Sequence, residues 1–340
     1  MFASMRWDYW ELLGLAGEFL FFSRLLAQWL ASEKSGRPRI PRVYWHLSLA
    51  GALILAVYAL HLGSFAVLLP QLFGLLFYWR GLRLDQAERR EKARRQRLGL
   101  DRPDYPWPSL SVIVPVHNEE AALAKTLESI LAQAGPGEEF EVVVGLNGCQ
   151  DNSREVATRY PVRLVEDPRS GIGFGKNLGA GMAKGEELVF VDADTILPPG
   201  SLRQLREAVA GVPHYVGTVP GWPDRGGGVV KLCFLLANFI THRRRCHSPG
   251  GVIVIDRETF QAINGFDEVL PTSTSTDLIW RGLKTGAEYV YINSFTAVTS
   301  IRRFEKTGVI HQMLDWRDSH RALRENHRER VVAKTYSPYR

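Results

Sequence analysis

The chain has 340 residues, and 45% of them are hydrophobic, which excludes a disordered chain and allows one large domain or two smaller ones. Its formal charge is +6, but residues 1–102 hold 15 basic and 8 acidic side chains, whereas residues 103–340 hold 27 and 28. The basic third is also the most apolar part, which points to a membrane partner and away from nucleic acid. Cys149, Cys233 and Cys246 form neither a disulfide framework nor a zinc-ligand spacing, as expected of a soluble part in a reducing compartment.

Three apolar runs come first, at 9–30, 44–62 and 65–79. The first two have the roughly 20 residues that a bilayer crossing needs. The third reaches that length if Leu82 and Leu84 are included and Arg80 and Arg83 snorkel. Glu11, Glu18 and Arg24 interrupt the first run, which argues against a cleaved signal peptide. The loop at 32–43 is basic, and so is everything from Arg80 to Arg102, while the link at 61–64 holds no Lys or Arg. Three spans put both basic stretches on one side, so the reading is a multi-pass domain with the N-terminus outside and the rest cytoplasmic. A buried helical hairpin of a soluble protein is the alternative. Glu18 and Arg24 either pair with each other or meet a lipid phosphate.

The stretch at 17–84 resembles the lipid A biosynthesis N-terminal domain family through Phe21, Arg24, Gln28-Trp29, Ser32-Glu33, Pro41, Trp45, Ser48, Gly51, Tyr58, Pro70-Gln71 and Tyr78. The resemblance implies a membrane setting, read as a bacterial inner membrane, and a link to glycolipid assembly. Domain boundaries follow: a membrane domain at 1–84, a basic juxtamembrane linker at 85–108 with a helix over 89–97, a soluble domain at 109–304, and a basic C-terminal helix and tail at 305–340, with the helix expected over 309–332.

After Pro108 the periodicity changes. Strands are predicted at 109–114, 141–145, 162–166 and 187–191, and helices at 121–133, 153–160, 175–183 and 199–210. This alternation with short links argues for an α/β fold with a mostly parallel sheet and a ligand site at the strand carboxyl ends. The Gly-rich stretch at 170–177 matches neither a dinucleotide fingerprint nor a P-loop, because Lys176 and Asn177 fall where those motifs need Gly and Ser/Thr.

The stronger signal is Asp192-Ala193-Asp194, directly after an apolar strand. Two carboxylates one residue apart at a strand end can hold a hard cation such as Mg2+ or Mn2+ against a diphosphate. Around it stand Pro115, Asn118 and Glu119 after the first strand, Asn147 after the second, and Lys176 before the third helix. As a set, the segments at 111–133, 140–153, 173–195 and 250–268 resemble family 2 glycosyltransferases of the GT-A fold. That resemblance implies a nucleotide-diphosphate sugar donor, a divalent metal and inversion at the sugar carbon. Carried over, Pro115, Asn118, Glu119 and Asn147 line the nucleoside pocket and Lys176 joins the nucleotide site. Asp192 faces the ribose or donor sugar and shares the metal with Asp194. Arg302 and Arg303, in the segment 300–304, resemble the arginine-bearing motif that closes over the diphosphate.

The chain departs from the family at Ser273-Thr-Ser-Thr-Asp277. Asp277, Leu278 and Arg281 keep the family frame, but its usual Glu-Asp pair falls on Thr274 and Ser275. A sugar hydroxyl needs a general base to attack at neutral pH, whereas a phosphate oxygen is already anionic. Three readings stay open: a lipid-phosphate acceptor such as polyprenyl phosphate, a hydroxyl acceptor with Asp277 as base, or donor binding without catalysis. The expectation is therefore a membrane-anchored, metal-dependent glycosyltransferase with a lipid-linked acceptor. The competing class is a non-catalytic lipid-binding or transport protein with a degenerate transferase domain. Arg243, Arg244 and Arg245 end the apolar stretch 229–240, read either as an interfacial helix or as a core helix with a solvated end.

Overall fold

The structure, a computed structural model, describes residues 8–100, 109–135, 139–245 and 248–302, with a few positions beyond. It divides into two compact units, Met1–Asp101 and Arg102–Arg340.

The first unit is three helices: α1 (Tyr9–Ser35), α2 (Arg42–His61) and α3 (Phe65–Leu98). The middle helix buries small residues, Ser48, Gly51, Ala52, Ala56 and Ala59, together with Leu55. Its partners lie close because the facing residues are small, as Gly14 and Gly17 are on α1. Large apolar side chains point outward instead: Phe19, Phe22, Leu76 and Phe77 are all more than 60% exposed. That inversion suits lipid as the surrounding solvent. Among the described residues, α2 and α3 are long and apolar enough to cross a bilayer. The 27-residue α1 is long enough but carries Glu11, Glu18 and Arg24.

Arg24 does not bond Glu18. It donates to Ser48 Oγ at 3.2 Å, and its guanidinium lies over the rings of Phe21, Tyr44 and Tyr78. The third helix runs unbroken from its apolar half into the basic half. The expected boundary at 84 therefore lies inside α3, and the helix expected over 89–97 is its last part. Gly99, in the left-handed conformation, ends it.

The second unit is built on a seven-stranded sheet. Its elements in chain order are β1 (Leu110–Val116), α4 (Leu123–Leu131), β2 (Glu141–Asn147), α5 (Ser153–Ala157), β3 (Arg163–Asp167), α6 (Ile172–Met182) and β4 (Glu187–Val191). Then come β5 (Thr195–Ile196), α7 (Ser201–Val209), β6 (Tyr215–Thr218), β7 (Gly221–Pro223) and α8 (Gly228–Arg244). The last are β8 (Val252–Asp256), α9 (Arg257–Ala262), α10 (Thr274–Lys284), β9 (Glu288–Tyr291) and β10 (Ala297–Thr299).

The strand order is β3-β2-β1-β4-β8-β6-β9, and a small second sheet runs β5-β10-β7. The first four strands are parallel; β8 is antiparallel to both its neighbours. Strands β1 and β4 are apolar along nearly their whole length, as strands covered on both faces must be. Leu123, Leu127 and Ile130 of α4 and Leu202, Leu205 and Val209 of α7 join one buried cluster with β1 and β4. Phe190 and Ile253, from neighbouring strands, meet Phe266, Leu278 and Ile279 in another.

The predicted strands fall on β1 to β4, with small shifts in their ends. Helix α6 starts three residues before its predicted place, inside the Gly-rich stretch. A Cβ at Gly175 would lie 2.5 Å from Asn147 Oδ1, so only glycine lets this helix approach β2 so closely. Glycine lowers helix propensity, and here close packing outweighs it.

Candidate functional site

Chain order sets the position of the site. Connections from β1 run to β2 and β3 on one side, then cross back to β4 on the other. The carboxyl ends of β1 and β4 are thus the topological switch point, where open α/β sheets leave a crevice. Pairing of β1 with β4 stops at Ile113, while pairing with β2 continues to Val116. Pro115 lies beyond the last β1–β4 pair, where a residue without an N–H is tolerated best.

The turn Asp192-Ala193-Asp194 leaves β4 at this crevice and is held at each residue. Asp192 N donates to Gly251 O at 2.9 Å, Ala193 O accepts from Thr126 Oγ1 at 2.8 Å, and Asp194 O accepts from Ser300 N at 3.2 Å. The Asp192 side chain is 41% exposed and the Asp194 side chain 20%. Gly251, with φ of +62°, lies against Asp192; a Cβ there would fall 3.1 Å from Asp192 Oδ2 and 2.6 Å from Thr195 Oγ1. The Pro249-Gly250-Gly251 turn therefore supports the first carboxylate. The contribution of Thr126 was not legible in the sequence, where it reads as one more position on the inner face of α4.

Three further charges converge. Lys176, only 5% exposed, places Nζ 3.2 Å from Asp192 Oδ1. Glu119 is fully buried; its backbone N–H donates to Ser153 Oγ, and its Oε2 accepts from Arg302 Nη2. The same Nη2 lies 3.8 Å from Asp194 Oδ2. Pairing of β10 with β5 and β7 brings residues 300–302 beside the Asp194 turn. Asp224 accepts from Ile301 N, and Arg225 clamps Asp224 and Glu305. Asp192, Asp194, Glu119, Lys176 and Arg302 thus form one charged group. Arg303 lies outside the described residues.

Asn118 takes a left-handed φ of 57° and accepts from Gln150 N at 2.7 Å, tying the β1 loop to the β2 loop. The buried Asn147 amide donates to Gly171 O at 3.0 Å and wedges against Gly175. It fastens α6 to β2, a job a polar residue at a strand end does not advertise. Burial pushes the Cys149 thiol up, and its Sγ donates to Val116 O, so it is a poor nucleophile.

Among the described residues, no group of three His, Cys, Asp or Glu side chains converges on a metal position. The donor set is nevertheless suited to a hard cation: Asp192 and Asp194 offer two carboxylates, and Mg2+ commonly takes its other ligands from phosphate and water.

Asp277 lies in the first turn of α10, buried, with Oδ2 at 2.7 Å from both Arg281 Nε and Nη2. Arg281 also donates to Ile263 O. Thr274 and Ser275 occupy the start of the helix, behind Ser273 at φ +58°.

The mixed, mostly parallel sheet with its charged crevice at the switch point is a fold of the GT-A type. Residues 111–253 match Glycosyl transferase family 2, and residues 13–83 match the Lipid A Biosynthesis N-terminal domain, so the chain carries both domains. It is 34% identical over 93 residues to glycosyltransferase AglE of Haloferax volcanii, covering 26% of this chain and 31% of that protein. It is 34% identical over 110 residues to validoxylamine A glucosyltransferase of Streptomyces hygroscopicus subsp. limoneus, covering 31% and 24%. These matches span about a quarter to a third of each relative's length. The fold is similar to S. aureus TarS 1–349 in complex with UDP-GlcNAc, with 21% identity, TM-score 0.48, and coverage of 56% of this chain and 58% of that one. It is also similar to the mannosyltransferase PcManGT of Pyrobaculum calidifontis in complex with GDP-Man and Mn2+, with 20% identity, TM-score 0.48, and coverage of 70% and 69%.

Proposed function

We propose that this chain is a membrane-anchored inverting glycosyltransferase that moves a sugar from a nucleoside-diphosphate donor to a lipid-linked acceptor in glycolipid or glycan assembly. The observation that carries this reading is the convergence of Asp192, Asp194, Glu119, Lys176 and Arg302 at the β1/β4 switch point. In the reaction, an acceptor oxygen forms a bond to the anomeric carbon while the bond to the diphosphate oxygen breaks on the opposite face. The nucleoside diphosphate leaves with the electron pair.

Lys176 and Arg302 supply positive charge for that leaving group. Arg302 rests on Glu119 and Asp194, and a diphosphate would compete for it. Asp192 and Asp194 would hold a divalent cation, which when bound neutralises charge on the diphosphate.

The acceptor's reacting group in this reading is a phosphate. Thr274 and Ser275 stand where the resembling family has carboxylates, and Asp277 is clasped by Arg281. The Oδ2 of Asp277 is thus already spent on two guanidinium nitrogens. The membrane arrangement is three spans, with the N-terminus outside and the catalytic unit cytoplasmic, in a bacterial inner membrane.

The test is product formation by the full chain in lipid nanodiscs with Mg2+ or Mn2+ and a panel of UDP- and GDP-sugars. Polyprenyl phosphate and a hydroxyl-bearing glycolipid are offered side by side. The expectation is metal-dependent transfer to the phosphate lipid, lowered about a hundredfold or more in Asp194→Ala. Transfer only to the hydroxyl lipid, abolished in Asp277→Asn, would refute the phosphate acceptor. Donor and metal binding by Asp194→Ala as tight as in the unaltered chain would refute the metal assignment. No turnover of any donor, with lipid still retained, would favour the non-catalytic reading.

A further inference from the structure

Helix α8 keeps apolar side chains on the face it turns outward. Its inner face carries Phe234 and Thr241, both almost fully buried, with Val230 and Asn238. Much of that face is polar: Asn238 bonds both the N–H and the carbonyl of Gly221 on β7, and Thr241 O accepts from Tyr289 Oη. The outer face carries Val229, Leu232, Leu235, Leu236, Phe239 and Ile240, which are 41–69% exposed. A helix on a water-facing surface shows the opposite arrangement. An apolar patch of this kind marks a docking surface.

The charges on α8 say what docks. The helix has no acidic residue. Its last turn and C-cap carry His242, Arg243, Arg244 and Arg245, all exposed. None of the three guanidiniums pairs with a carboxylate among the described residues, and that of Arg243 lies over the Phe239 ring. Apolar side chains along one face and unpaired cations at one end match the layering of a bilayer, with hydrocarbon beneath anionic headgroups.

We infer that α8 is an interfacial helix through which the catalytic unit itself docks on an anionic lipid surface. The consequence reaches the site. Phe234 and Val230 pack on Ile301, the residue before Arg302. Lipid contact along α8 thus lies one residue from the arginine that meets Glu119 and Asp194. A lipid-linked acceptor could be glycosylated without leaving the membrane.

This inference rests on the membrane reading of α2 and α3, but not on the transferase chemistry. The experiment places a benzoylphenylalanine photocrosslinker at Leu236 or Phe239 in the full chain, with Arg203 on α7 as the comparison position. The chain is reconstituted in nanodiscs of phosphatidylglycerol with phosphatidylcholine, or of phosphatidylcholine alone, and irradiated. The expected result is a lipid mass adduct at 236 and 239 and none at 203. In the mixed discs, Arg243→Glu with Arg244→Glu should lower the adduct at 239 roughly fivefold. An adduct to a second copy, an adduct to another segment of the same chain, or no adduct in a chain that has entered the disc would each overturn the inference. A chain that never enters a disc overturns the membrane reading along with it.

Discussion

Arg302 is the residue on which the candidate site turns. Its guanidinium meets Glu119 and lies near Asp194, two carboxylates delivered by different strands. Removing it takes a cation away from a fully buried Glu119, which costs both stability and donor affinity. Arg302→Ala should therefore raise the donor KM and lower kcat together. Arg302→Lys keeps the charge but loses the planar fork, and should recover part of kcat only. Steady-state kinetics on the two variants check this; equal kinetics for Arg302→Ala and the unaltered chain would remove Arg302 from the site.

Gly251 makes a second prediction at this scale. Alanine there must hold a left-handed backbone and press on Asp192 and Thr195, so Gly251→Ala should lose about 1–3 kcal/mol of stability. It should also weaken donor binding, as read by titration with the nucleoside diphosphate. Asp192 and Asp194 were legible in the sequence because two carboxylates directly follow an apolar strand. The packing role of Asn147 was not, since a polar residue at a strand end gives no sign that its amide also fastens a neighbouring helix.

Among the elements, β4 bears chemistry at both ends. Its carboxyl end opens into the Asp192–Asp194 turn; its first residue, Glu187, is buried with Arg206 Nε at 3.5 Å and Tyr215 Oη at 3.1 Å. Burial pushes the Glu187 carboxyl from 4.5 up to about 7, although Arg206 and Tyr215 oppose that rise. Burial, with Glu187 next to it, also pushes the Tyr215 hydroxyl well above the ordinary phenol range. In the unfolded chain Glu187 ionises near its ordinary value, so between about pH 4.5 and 7 the folded form binds the extra proton.

This contribution is fully present below the unfolded pKa and fades as pH rises through about 7, by at most roughly 3 kcal/mol. Glu187→Gln lacks the titration. The difference in thermal midpoint, variant minus unaltered chain, should grow from pH 5 to about 7 and then level off. A difference independent of pH would refute the shift. The positions of β4 and its neighbours were legible because buried parallel strands are short, continuous apolar runs. The start of α6 was not, because the glycines that permit its approach to β2 read as a loop.

For the whole molecule, the charge distribution carries the argument. The basic excess before residue 103 and the 10 basic against 5 acidic residues of 302–340 flank a net-acidic middle. The tail helix expected over 309–332 lies almost wholly outside the described residues. Within the first unit, α3 passes from an apolar half to one holding Arg89, Arg90, Lys92, Arg94, Arg95 and Arg97, which is the end that the proposed arrangement puts on the cytoplasmic side. Composition supports α2 and α3 as spans; α1, the third span of the proposed arrangement, has the length but carries interior charges. Arg24 lowers that cost through Ser48 and three aromatic rings instead of a carboxylate.

A membrane-impermeant maleimide distinguishes the arrangements in intact cells. In a chain whose three native cysteines are serine, Leu62→Cys, between α2 and α3, should be labelled from outside. Arg37→Cys and Arg90→Cys should be labelled only after permeabilisation. Asp8→Cys, just before α1, decides the number of spans. Labelling from outside means that α1 crosses, giving three spans; labelling only after permeabilisation means that α1 stays on the cytoplasmic side, leaving the two that composition supports.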